Sequence, residues 1–150
     1  MRLEDLEVWK RVVRLSVSIY KELSDLKDRT FKDQITRSGL SIPSNIAEGF
    51  ERGFQKQSVA FLGYAKGSCG ELRTQVYIGM DIGYIDSEVG ARWLSEAIEI
   101  SSMLGSLMNA RRKFIWHHLL PLPFYLSPRQ GELHESSISR SESTIHHHQR

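Results

Sequence analysis

Residues 34–53 read Q-I-T-R-S-G-L-S-I-P-S-N-I-A-E-G-F-E-R-G. Ile35, Ile42, Ile46 and Phe50 recur at spacings that place them on one face of a helix. Pro43 stands inside that pattern, with Gly39 four residues before it and Gly49 shortly after. A proline in a helix interior removes one backbone donor and crowds the carbonyl four residues back, at a cost of ~3 kcal/mol or more. Here that carbonyl belongs to Gly39, whose missing Cβ leaves room for a local bend. Ser38 and Ser41 carry hydroxyls suited to the backbone groups that the break would free. Either one helix bends through Pro43, or a new helix begins there with proline in its first turn. The apolar spacing stays in phase on both sides, which favours one bent helix.

Before this stretch, Leu6, Trp9, Val13, Ser16, Tyr20 and Leu23 alternate spacings of three and four, the seam of an amphipathic helix capped by Asp5. Val12, Ile19 and Leu26 widen it, and a polar turn over 24–29 ends it. Thr30 with Asp33 resembles a capping box for the second helix, and Gly53 is its expected stop. A third helix spans about 56–82, with Phe61, Leu62, Ala65, Cys69, Leu72, Val76, Gly79 and Met80 as its apolar face. Gly63, Gly67 and Gly70 lie within it, where small residues would let another helix approach closely. Gly83 closes it, and Asp86 or Ser87 caps a fourth helix running to about Arg112. That helix shows Trp93, Leu94, Ala97, Ile98, Ser101, Leu104, Leu107 and Met108 on one face. Arg111, Arg112 and Lys113 complement its negative end.

No strand pattern competes. Four amphipathic helices of roughly 22 residues, each about 33 Å long, joined by short turns, define an all-α fold. The expected architecture is an antiparallel up-down-up-down four-helix bundle over residues 1–113, followed by a flexible C-terminal tail over 114–150. The tail is apolar and proline-rich from Leu119 to Pro128 and serine-rich beyond Gly131, with Trp116, Phe124 and Tyr125 as candidate anchors.

The chain has 150 residues and a formal charge of +2. Through Lys113 it carries 17 Lys and Arg against 15 Asp and Glu, so the basic excess lies in the helices. That balance is compatible with a polyanionic partner. One cysteine, Cys69, permits no internal disulfide, and the charged start has no apolar signal core; a cytoplasmic protein is expected. The longest uncharged run, 115–128, is too short to span a bilayer and is interrupted by prolines.

The run S-I-P-S-N-I-A-E-G-F over 41–50 resembles the hallmark of the four-helix-bundle proteins encoded in 23S rRNA intervening sequences. Gln34, Arg37, the Gly67-Ser68 and Glu71-Leu72 pairs, the opening D-L-E-V-W over 5–9 and the ending over 82–85 fit the same pattern, in the same order. Thr36 stands where the pattern often has a second basic residue. The resemblance covers roughly residues 3–113. It implies a cytoplasmic bundle that assembles as a homopentamer. A related branch includes the accessory protein of diversity-generating retroelements, which works with a reverse transcriptase and nucleic acid. Ser41, Pro43, Asn45, Glu48 and Gly49 carry the motif.

Three functions follow for weighing. The first is a non-enzymatic protein binding structured RNA through Lys10, Arg14, Arg37, Arg52, Lys56, Lys66, Arg73, Arg111, Arg112 and Lys113. The second is an assembly scaffold or accessory subunit whose main partner is another protein, such as a reverse-transcriptase-like protein. The third is an enzyme centred on Glu48, with Asn45 and Arg52 on adjacent turns. Glu48 and Arg52 stand four apart and suit a structural ion pair better than chemistry. No phosphate-binding glycine loop, nucleophile elbow or paired-cysteine site occurs. His117 and His118 lie beyond the expected helices, and the terminal His146–His148 triplet lacks the surroundings that fix a metal. The sequence therefore predicts no catalytic residue, no metal and no cofactor.

Overall fold

The computed structural model describes residues 1–54 and 56–119. The tail beyond Leu119, with Phe124, Tyr125 and the histidine triplet, lies outside the described residues. A short 3-10 turn, Leu3–Asp5, precedes helices α1 (Glu7–Glu22), α2 (Arg29–Glu51), α3 (Lys56–Asp81) and α4 (Ser87–Leu119). Together they form the four-helix bundle that the periodicity predicts.

Neighbouring helices run antiparallel, as the contacts between them show. Ser41 of α2 faces Ser68 of α3, while Gly49 meets Ser58 and Phe61 and Phe31 approaches Gly79. Met108 lies by Gly63 and Met80 by Gly90. The α2–α3 interface is the largest, followed by α3–α4; α1 leans on both α2 and α4.

Several helix ends differ from expectation. Asp5 belongs to the 3-10 turn, where its carboxylate accepts from the Arg2 backbone at 3.0 Å, and Leu6 opens α1. Asp28, two residues before the expected Thr30, caps α2 by accepting from Phe31 N at 3.0 Å, and its other oxygen accepts from the Tyr84 hydroxyl. Asp86 caps α4 through Glu88 N and Val89 N, as the sequence suggests. Gly53 and Gly83 end α2 and α3 at φ of 62° and 78°, the left-handed region that glycine adopts without strain. α4 outruns its expected end at Arg112, so Phe114, Trp116, His117 and His118 are helical.

The core consists of Val8, Val12, Leu15, Ile19 and Leu23 of α1 against Ile35, Ile42 and Ile46 of α2, Leu62 to Val76 of α3, and Trp93 to Leu104 of α4. The buried stripe of α1 is rotated from the expected seam: Val8 and Leu15 are inside, whereas Tyr20 is exposed and Val13 only half-buried. In α4, Ile100 is fully buried and Ile98 faces outward. Cys69 is wholly enclosed, and burial pushes its thiol up to about 12, so it packs as a small apolar residue. Gly67 and Gly70 have open space where a Cβ would stand, so the expected close helix approach does not occur there. It occurs at Gly49, where a Cβ would lie 3.0 Å from Ser58 O and 3.2 Å from Phe61 Cβ.

α2 is one continuous helix with Pro43 inside it. The Gly39 carbonyl, which Pro43 cannot serve, accepts a 2.8 Å hydrogen bond from the buried Ser16 hydroxyl of α1. Ser38 and Ser41 do not fill this gap: Ser38 donates to Gln34 O, and Ser41 pairs with Ser68. Ile19 Cδ1 lies 3.5 Å from where a Gly39 Cβ would stand, an ordinary van der Waals distance, so the packing of α1 does not itself require a glycine there.

An unsatisfied buried carbonyl costs ~1–3 kcal/mol, so Ser16→Ala is expected to destabilise the bundle by that amount in urea unfolding. Pro43→Ala restores the amide that Gly39 lacks. In that background the cost of Ser16→Ala should fall below ~1 kcal/mol, and additive effects would show that the two sites are uncoupled.

Candidate nucleic-acid interface

The motif residues of α2 each join that helix to something outside it or brace its own turns. Asn45 Nδ2 donates to Ser41 O at 2.8 Å and Ser41 Oγ at 3.0 Å, while that hydroxyl meets Ser68 of α3 at 2.9 Å. Glu48 receives Arg52 Nε at 3.0 Å and Nη2 at 2.6 Å, the pairing expected of residues four apart. Arg52 also donates to Gln57 Oε1 and lies 5.0 Å from the centre of the Phe61 ring. These side chains close the corner between α2 and α3.

Arg111 has a different place from the one its sequence position suggests. It is buried, at 7 % exposure, and Nη1 donates to Gly49 O at 2.7 Å and Gly53 O at 2.6 Å. It thus caps the carbonyl end of α2 rather than its own helix, where the dipole favours a cation. Burial lowers its pKa with no carboxylate offsetting the effect. Committed to two backbone carbonyls, Arg111 leaves the set of basic residues open to phosphate.

The remaining candidates do not form one patch. Arg14 on α1 is exposed and pairs with Glu7 at 3.2 Å, with Lys10 one turn earlier. Arg37 borders an open groove of about 510 Å³ beside Tyr20, Asp33 and Ser44. Arg73 is half-buried, with Nε enclosed and unpaired among the described residues. Arg52 is held by Glu48.

Lys56, Lys66, Arg112 and Lys113 do share a region. They are exposed, and no ion pair among the described residues engages them. Between Glu51 and Glu71, and again from Ile100 to the end of α4, the chain has no Asp or Glu. Antiparallel packing lays these two acid-free segments side by side: Gly63 faces Met108, and Lys66 Nζ comes within 3.6 Å of a Cβ position on Gly105. The signal was present as two gaps in the acidic residues, but only the register of α3 on α4 joins them.

The opposite seam, α1 on α4, has paired charges. Arg11 Nε and Nη2 donate to the two oxygens of Glu96 at 2.7 and 2.6 Å, and Nη2 also reaches Glu99. Arg11 was not among the sequence candidates, and its partners lie 85 and 88 residues away. Among the described residues no group of three His, Cys, Asp or Glu side chains is placed to hold a metal ion, and no helix is long and apolar enough to cross a membrane.

The fold defines a small all-α protein of the four-helix-bundle class, with a proline inside its second helix. The chain belongs to the 23S rRNA-intervening sequence protein family, whose family model matches residues 4–106. Among solved structures it is similar to a protein of unknown function from the S23 ribosomal protein family of Bacteroides thetaiotaomicron. The two share 26% identity with a TM-score of 0.62, over 67% of this chain and 97% of that one. The comparison with curated proteins gave no match.

Arg111→Met is expected to leave both carbonyls unserved and to cost ~2–4 kcal/mol in chemical unfolding. The Arg11 hydrogen bonds hold Glu96 below the usual glutamate range. The stability from this pair is therefore present above the ordinary glutamate pKa near 4.5 and is lost as pH falls through the lower folded value. Because Glu96 is partly exposed, Glu96→Gln should cost only ~1 kcal/mol at pH 7. The variant should also show a flatter decline of melting temperature in acid than the parent.

Proposed function

We propose that this protein is a non-enzymatic, cytoplasmic RNA-associated protein that works as a self-assembled ring, a homopentamer in keeping with its family resemblance. The observation that carries the RNA reading is the acid-free half of α3 and α4, with Lys56, Lys66, Arg112 and Lys113 exposed on it. Phosphate binding needs surface cations without neighbouring carboxylates, because counterion release scales with the phosphates neutralised. One chain at +2 binds weakly; a ring repeats the patch and converts weak contacts into avidity.

Ring closure requires two different surfaces that meet head to tail. One suitable surface is the groove of about 380 Å³ between α1 and α2, lined by Val13, Val17, Tyr20, Leu40 and Pro43. Tyr77, Ile78 and Ile82 of α3 with Ile98 of α4 supply exposed apolar side chains on other helices. The polar motif residues support a structural role over a catalytic one: Ser41, Asn45, Glu48 and Arg52 are all engaged with neighbours.

Light scattering on the purified protein should give five times the chain mass of 17.3 kDa. Added structured RNA should raise that mass at low salt, and the complex should weaken steeply between about 50 and 200 mM salt. A mass unchanged by RNA at low ionic strength would sink the RNA reading, and a monomer would sink the ring.

A further inference from the structure

The groove between α1 and α2 runs along Val13, Val17, Tyr20, Leu40 and Pro43, with Lys21 as the charged residue of its lining. Lys21 is exposed and belongs to no ion pair among the described residues. Hydrogen bonds fix what lies level with this groove. Ser16 of α1 meets Gly39 of α2 at 2.8 Å, and Ser41, two residues on, meets Ser68 of α3 at 2.9 Å. On α3 around that level, Ala60, Tyr64, Gly67 and Glu71 are exposed, at spacings of four, three and four that align them in one strip. Tyr64 is 61 % exposed, and Gly67 has open space where a Cβ would stand. Glu71 belongs to no ion pair among the described residues; Arg37, one turn before Ser41 on α2, stands near its level and does not engage it. α1 and α3 run the same way, so Lys21, beyond the middle of the groove, is level with Glu71 rather than with Tyr64.

We propose that this strip of α3 fills the α1–α2 groove of the next copy, with Tyr64 and Gly67 against Val13, Val17 and Leu40, and Glu71 paired to Lys21. The inference rests on the ring reading above and names the two faces that the ring joins. Groove and strip lie on different helices, so the contact is head to tail, the kind that closes into a ring. A closed ring repeats its contact without advancing along its axis. With the bundles standing along that axis, each groove meets what is level with it on the neighbour. Ile78 and Ile82 are ten and fourteen residues past Ser68, about 15 and 21 Å along the helix, and miss that level. Two grooves closed on each other would bring lysine rims together, the like-charge contact that interfaces avoid. The strip instead supplies a tyrosine ring, a side chain favoured at interface cores, and one carboxylate to set the register.

Light scattering on the full chain tests the pairing. Val17→Glu spoils the groove and Gly67→Trp obstructs the strip. Both positions are exposed, so circular dichroism should show the parent's melting temperature, or a higher one for Gly67→Trp, since glycine is the poorer helix former. Each variant should fall to the 17.3 kDa of one chain. Mixed one to one at high concentration, they should give twice that mass, because the first keeps a sound strip and the second a sound groove. Lys21→Glu and Glu71→Lys should each lower the mass, and the double reversal should restore it. Ile98→Glu on α4 should leave it unchanged. A parent that is itself a single chain overturns ring and pairing together. A parent ring that survives Val17→Glu or Gly67→Trp overturns the pairing and leaves the ring, closed by other surfaces. Variants that stay single when mixed would mean one face meeting itself, and would also overturn the pairing.

Discussion

The carbonyl of Gly39 has no amide to receive it, because Pro43 stands where its donor would be. A buried acceptor must be satisfied or the helix must break, and the Ser16 hydroxyl of α1 satisfies this one from outside at 2.8 Å. The middle of α2 is therefore completed by another helix. The same stretch binds α3 through Ser41 and Ser68 and receives α4 through Arg111 on Gly49 O. Within three turns α2 makes a polar bond to each of the other helices. The motif that identifies the family is thus the joint of the bundle. Its polar residues are there to serve backbone groups and align helices.

The two long seams of α4 are built on different chemistry. Against α1, the guanidinium of Arg11 grips two carboxylates at the half-exposed surface. Against the α2–α3 corner, Arg111 grips carbonyls in the interior. The first consumes acidic residues on one side of the bundle. The second needs none, and the acid-free surface beside it stays positive.

The fold was legible because burial repeats at helical spacing and because Gly53, Gly83 and Asp86 mark ends by local rules. What was less legible is instructive. α1 carries two apolar stripes side by side, so periodicity alone admits Tyr20 and Val13 as readily as Val8 and Leu15; only the positions of α2 and α4 choose. Ile98 and Ile100 present the same ambiguity. Asp28, rather than Thr30, is the cap of α2, and it also meets Tyr84, 56 residues away. Of the candidate site, the Glu48–Arg52 pair was readable from spacing, and the four exposed cations of α3 and α4 were named without being seen as one group. Arg111 was misread as a surface residue because its acceptors are backbone carbonyls, which every sequence contains and none displays.

The contrast between the two arginine clasps gives the bundle a direction of weakness. Protonation of Glu96 can release it from Arg11, and salt can screen that partly exposed cluster. Arg111 is exempt from both: an arginine stays charged through the acid range, its partners do not titrate, and its bonds are shielded from ions. Acid or salt stress would therefore weaken the α1–α4 clasp while the clasp at the α2–α3 corner holds. Two arginines of one bundle thus answer to different conditions, one to the solution and one only to unfolding itself.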